Sequence, residues 1–103
     1  MKTKTLSLPK LNQLNPTLES TALKLMEEAG ELAQAIGKYR GLSGEKVHMD
    51  NDTVFGEIAR ELLDVAQTAV TMMFVMEDQY GINIENLLKD HCTKLKSKGY
   101  LCQ

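Results

Sequence analysis

Four carboxylates fall into two pairs of identical spacing, Glu28 with Glu31 and Glu61 with Asp64. Residues three apart on a helix leave the same side about one turn apart, so each pair can share an ion. Two such helices packed antiparallel let the pairs converge into a site whose four donors are all carboxylates. Oxygen donors suit hard cations, Mg²⁺ or Mn²⁺, and exclude a zinc site built from Cys and His. Four negative charges call for more than one divalent ion, with open positions left for water and phosphate oxygens.

The elements that must hold these residues read as helices. Residues 1–14 carry no sustained period and form an arm ahead of the first helix, expected over 15–40. Asn15-Pro16 supplies a cap and a first-turn proline, and Glu19 sits where the helix dipole favours an anion. Gly41 ends that segment, a polar loop follows over 41–52, and Asp52 or Thr53 is placed to start a second helix over 53–80. Asn83 caps a third over 83–98, which stops at Gly99. No segment alternates with the period of a strand. The fold class is all-α: a bundle of two long helices and a shorter C-terminal one, within a single domain spanning 1–103.

The faces of the helices differ in kind. On the first, Leu18, Ala22, Leu25, Met26, Ala29, Leu32, Ala33 and Ile36 make an ordinary apolar stripe, with Glu28 and Glu31 on its shoulder. The second is apolar nearly all round. Its exception is a stripe of Glu57, Glu61, Asp64, Thr68 and Thr71, spread over about 80° at 100° per residue. A cylinder apolar on most sides needs more partners than two other helices supply, so the bundle is expected to be completed by oligomerisation. The acidic stripe then lies in a cleft or interface, where unpaired carboxylates cost several kcal/mol each, on the order set by desolvation, unless a cation compensates.

Composition narrows the classes of function. With 103 residues, 43% of them hydrophobic and only two prolines, the chain fits one compact domain. A formal charge of −2 argues against a partner that is a nucleic-acid polymer. No apolar run approaches the ~18 residues of a membrane span, and no secretory signal follows Lys2 and Lys4. Cys92 and Cys102 form neither a CxxC pair nor a disulfide framework, so a reducing, cytoplasmic setting is expected.

The run Leu25 to Ile36 (LMEEAGELAQAI), followed by Glu61 to Val65 (ELLDV), resembles the ExxE…ExxD signature of the MazG-like, all-α nucleotide pyrophosphohydrolases. The ending His91 to Tyr100 is also similar to the close of many such chains, where a basic residue precedes Gly-Tyr. The resemblance covers about residues 17–100. It implies Mg²⁺-dependent hydrolysis of a nucleoside triphosphate to the monophosphate and pyrophosphate, by a protein assembled at least as a dimer, a homodimer or a homotetramer. It places Glu28, Glu31, Glu61 and Asp64 on the family's metal-ligand positions. In such a reaction Glu28 or Glu31 is the carboxylate to orient or deprotonate the attacking water. Lys94 and Lys98, one turn apart, are the first candidates to contact phosphates, with Lys24, Lys38 and Arg60 behind them. Base preference has three possible sources: the arm, the 41–52 loop or a neighbouring subunit.

Other features read more plainly. Glu57 suits a flank. Met72, Met73 and Met76 suit core or a subunit interface. His91 suits packing, and His48 sits in the loop without a partner in the pattern. Two alternatives stand beside the main reading: a non-catalytic helical interaction module whose acids pair with a basic protein, and a phosphoribosyl-ATP pyrophosphatase-like enzyme with similar acidic motifs.

Overall fold

The computed structural model describes residues 1–41, 44 and 51–102, which form three α-helices and, among the described residues, no strand. Helix α1 spans Leu18–Tyr39, α2 spans Asn51–Tyr80 and α3 spans Ile84–Ser97. Residues 42–43 and 45–50, hence His48 and most of the expected 41–52 loop, lie outside the described residues.

Helix α1 starts three residues later than expected, because Thr17 caps it and not Asn15. The Thr17 hydroxyl accepts from the Ser20 amide at 3.0 Å, and the Ser20 hydroxyl accepts from the Thr17 amide at 2.8 Å. This reciprocal box satisfies two amide donors at once, which a lone Asn cap does not. Pro16 stays outside the helix, and its carbonyl accepts from Gln79 Nε2 at 3.1 Å. Helix α2 begins at Asn51, two residues before the expected start. Its end is sharp: Gly81 takes φ +66°, a conformation cheap only for glycine, and the Ile82 amide turns back to the Met76 carbonyl at 3.2 Å. The Asn83 side chain accepts from the Asn86 amide at 3.1 Å and so caps α3.

Helices α1 and α2 form an antiparallel hairpin. The Tyr39 ring at the end of α1 lies 4.9 Å from that of Phe55 at the start of α2, and Gln79 near the end of α2 reaches Pro16 just ahead of α1. The seam between them is not the apolar stripe of α1. Thr21, Glu28 and Ala35 are the buried α1 residues, about a quarter turn round from the centre of that stripe at 100° per residue. Met26 is 75% and Leu23 73% exposed. On α2 the stripe containing the acids and threonines is the face that turns inward, with Thr68 and Thr71 buried beside Val54 and Val75, while Leu62 is 55% exposed. Two of the three buried seam threonines donate back to backbone carbonyls one turn earlier, Thr21 to Thr17 O at 2.8 Å and Thr68 to Asp64 O at 2.9 Å, and the hydroxyl of the third, Thr71, accepts from Gln67 Nε2 at 3.3 Å. The seam thereby accepts polar residues without orphaning those hydroxyls.

Two further features complete the frame. Helix α3 packs broadly against neither long helix. The arm instead runs along α2: Gln67 Nε2 donates to the Pro9 carbonyl at 2.9 Å, and Lys10 pairs with Asp78 while its ammonium lies 5.6 Å from the Phe74 ring centre.

Candidate metal centre

The inward turn of the polar seam places the acids face to face. Glu28 comes from the middle of α1 and Glu61 from the middle of α2, at matching heights because the helices run in opposite directions. Glu31, one turn along α1, completes a cluster in which one carboxylate oxygen of each residue lies within 4.8 Å of the other two. Burial grades across the group. Glu28 is only 7% exposed, Glu61 is half-buried and Glu31 is open to solvent.

Two of these oxygens are orphans. Glu28 Oε2 and Glu61 Oε2 are buried and accept no hydrogen bond. A buried carboxylate oxygen without a donor is costly, and two of them within one cluster of carboxylates cost more. Among the described residues, the cation paired with this group is Lys24, whose Nζ lies 3.1 Å from Glu28 Oε1 and 3.6 Å from Glu27 Oε1. It serves the other oxygen of Glu28 and leaves both orphans as they are. Lys24 pairs with neither Glu61 nor Asp64 among the described contacts.

Titration behaviour follows from this crowding. The Glu31 carboxyl holds its proton more tightly than an ordinary glutamate, first because of the charge on Glu28, then through partial desolvation, and then through Glu61 and Glu27. The Lys24 ammonium is held charged to higher pH, mainly by its hydrogen bond to Glu28 and then by the charge on Glu27.

The donor set fits a hard divalent ion. All three donors are carboxylate oxygens, the preferred ligands of Mg²⁺ and Mn²⁺. Two ligands on opposite sides of a Mg²⁺ ion at ~2.1 Å each stand about 4.2 Å apart, so small side-chain rotations bring the cluster to coordinating distance. The orphaned oxygens are then the atoms that gain a partner.

The remaining candidates are placed as follows. Asp64 stands outside the three-residue group: it is exposed, a methylene shorter than glutamate and one turn further along α2, at the level of Lys24. It does share with Glu28 and Lys24 the rim of a pocket of about 420 Å³ between the arm and the hairpin. Lys94 and Lys98 are exposed at the end of α3, and neither lines this pocket. Glu57 is half-buried one turn before Glu61 and belongs to no three-ligand group. Residues of the arm, which the sequence offers among three sources of base preference without singling out a side chain, wall the same pocket together with Gln67, which the sequence reading did not single out. For Gln67 a signal existed, since it lies three residues after Asp64 beside the polar stripe. For individual arm residues there was none, because the arm has no periodicity.

The family described as MazG nucleotide pyrophosphohydrolase domain matches residues 16–99, a stretch holding both acidic pairs. The uncharacterized protein YvdC of Bacillus subtilis (strain 168) is 31% identical over 74 residues, covering 72% of this chain and 68% of that protein. No solved structure matches. With helices α1, α2 and α3 all inside the matched stretch, the chain belongs to the MazG nucleotide pyrophosphohydrolase domain family.

Proposed function

We propose that this protein hydrolyses a nucleoside triphosphate to the monophosphate and pyrophosphate, using Mg²⁺ held by Glu28, Glu31 and Glu61 with Asp64 beside them. The observation that carries this reading is the pair of buried, unpartnered oxygens on Glu28 and Glu61, within a three-carboxylate cluster that only a cation would relieve. Divalent ions bound there would neutralise the triphosphate, lower the pKa of a bound water and stabilise charge on the leaving pyrophosphate.

The chain's own residues divide the remaining work. Glu28 and Glu61, the less exposed of the three, fix the cation position. Glu31 is solvent-facing, which places it better than the buried Glu28 to take a proton from water. Lys24 neutralises Glu28 while the cluster lacks a metal. Once a cation takes over that role, its ammonium is free to turn toward the phosphates from the pocket rim.

We also propose that the working form is a homo-oligomer in the cytoplasm, a dimer or tetramer. The accessible surface of 8312 Å² exceeds the ~5,800 Å² expected of a compact monomer of 11.5 kDa. The radius of gyration, 16.9 Å, likewise exceeds the ~13 Å of a compact chain this long. The excess surface includes Leu23 and Met26 on α1, Leu62, Leu63 and Met73 on α2, and Leu87 and Leu88 on α3. A second copy covering these faces accounts for Lys94 and Lys98 as well, by bringing one subunit's α3 near another's cluster. No helix among the described residues is long and apolar enough to cross a membrane. The exposed apolar faces alone also suit an interaction module, but such a module gives no reason for orphaned carboxylates in the seam.

The test is a panel of nucleoside triphosphates with Mg²⁺, scored for pyrophosphate against orthophosphate, on the native chain and on Glu61→Gln and Asp64→Asn. Pyrophosphate from the native chain, with a loss of 10²-fold or more in both variants, is the expected result. Release of orthophosphate, or full turnover in both variants, overturns it.

A further inference from the structure

Lys24 answers two acids at once, and the metal cluster includes Glu28 but not Glu27. Its ammonium lies 3.1 Å from Glu28 Oε1 and 3.6 Å from Glu27 Oε1. Among the described residues, Glu28 is the member that the lysine pair and the three-carboxylate group have in common. Glu27 adjoins it on α1, about 100° round the helix and outside that group.

The two pairs differ in what they cost to leave. The Glu28 side chain is 9% exposed, so its charge needs a counter-ion close by. Glu27 is 59% exposed and well solvated, and a pair at its position is weak. Lys24 is itself 54% exposed, on a flexible four-carbon stem with both acids within reach. The Arg60 guanidinium is turned elsewhere, over Gly56 one turn earlier on α2.

Ligation of a divalent ion by Glu28 would upset this balance. The carboxylate that holds Lys24 would then be satisfied, and two positive charges would stand beside an ammonium. Lysine stays charged near neutral pH, so the relief comes from moving a charge and not from losing a proton. Glu27, already 3.6 Å from Nζ, gives the ammonium a place to rest after a side-chain rotation alone.

We infer that Lys24 is an exchangeable counter-ion, held on Glu28 while the cluster lacks metal and shifted onto Glu27 when metal binds. The inference rests on the metal reading proposed above and adds a control on it. As long as Lys24 occupies Glu28, only part of the protein is ready for metal, and the apparent affinity is lowered by that fraction. Removing the lysine therefore tightens metal binding. A lysine that merely oriented Glu28 would have the opposite effect, because its loss would leave a ligand out of place.

Calorimetric titration of Mg²⁺ into the native chain, Lys24→Met and Lys24→Arg reads this directly. Lys24→Met should bind Mg²⁺ about three- to tenfold more tightly, the range that a part-exposed, charge-assisted pair commands. Its Tm in EDTA should fall by about 2–5 °C, since Glu28 is left uncompensated. Lys24→Arg keeps the charge and should stay close to the native affinity. Glu27→Gln should weaken Mg²⁺ binding more in the native background than beside Lys24→Met, where there is no ammonium to receive. In the native chain, which needs no variant to fold, NMR contacts from the Lys24 ε-protons to the Glu28 γ-protons should vanish on adding Mg²⁺, while those to Glu27 persist. Mg²⁺ binding that is unchanged or weaker in Lys24→Met, an equal effect of Glu27→Gln in both backgrounds, or a Lys24–Glu28 contact that survives saturation overturns the exchange and leaves the metal site standing. Failure of the native chain to bind Mg²⁺ or Mn²⁺ overturns both.

Discussion

Replacing Glu61 with Gln should stabilise the metal-free protein and weaken it relative to the native chain once Mg²⁺ is added. Glu28 and Glu61 contribute carboxylate oxygens within 4.8 Å of each other, and one oxygen of each is buried without a partner. At an effective dielectric of about 20, two unit charges at that separation repel by about 3–4 kcal/mol. Lys24, bound to the other oxygen of Glu28, offsets part of this, and Glu61 is only half-buried. A relief of about 1–2 kcal/mol on neutralising Glu61 is therefore expected, with the amide also able to donate to the Glu28 orphan. For a chain of this size that raises Tm in EDTA by about 5 °C or more.

Mg²⁺ reverses the order. A ligand that binds only the folded state stabilises it by ~2.7 kcal/mol when present at a hundredfold its Kd. The native chain should gain this, whereas the variant, lacking one anionic donor, should gain little. Calorimetric melts at fixed protein concentration, in EDTA and across a Mg²⁺ series, read both effects. Concentration must be fixed because assembly also shifts Tm. A variant that melts below the native chain in EDTA and keeps the full Mg²⁺ response would refute the reasoning: the carboxylates would then be structural, and their crowding would cost nothing.

Glu31 gives a dependence on pH. Its proton is held more tightly in the folded chain, chiefly by the Glu28 charge, so the metal-free fold binds more proton than the unfolded chain just above the ordinary glutamate range. Stability from this group is present in full below the unfolded pKa and is lost as pH rises through the folded one. Melts in EDTA across that window should show the fall, Glu31→Gln should flatten it, and an unaltered profile in the variant counts against the cluster. Assembly gives another test: Leu62→Lys alters an exposed residue and, in a monomer, should move stability by no more than about 0.5 kcal/mol. In the proposed oligomer it should lower the mass measured by light scattering and depress Tm more at low concentration than at high.

Much of this arrangement could be read in the sequence because helices convert spacing into direction. The i, i+3 pairs fix which carboxylates share a face, and Asn83 and Gly81 mark the junction between α2 and α3 through capping chemistry that depends on few neighbours. Where local rules compete, the reading slipped. Asn15-Pro16 and the Thr17–Ser20 box both offer a start for α1, and the reciprocal pair of hydrogen bonds prevailed. The arm was legible as an arm, but its path along α2 was not, since its position is set by the distant amides of Gln67 and Gln79 and not by any period of its own.

The face buried by α1 is the most instructive departure. Hydrophobic patterning pointed to the stripe through Met26 and Ala29, yet the hairpin closes on Thr21, Glu28 and Ala35. A chain minimising its exposed apolar surface alone would not make that choice. The stripe through Met26 and the outer face of α2 remain exposed, as the proposed assembly requires, while the seam within one chain is kept for residues that meet at short range. Burying Glu28 against Glu61 is unfavourable without a cation, and the apolar faces are unfavourable without a partner subunit. The two deficits have the same logic: the isolated, metal-free chain is incomplete in its charge and in its surface. Metal and assembly should therefore each raise stability. If both act on this one hairpin, the gain from Mg²⁺ should be larger in the assembled protein than in a Leu62→Lys monomer.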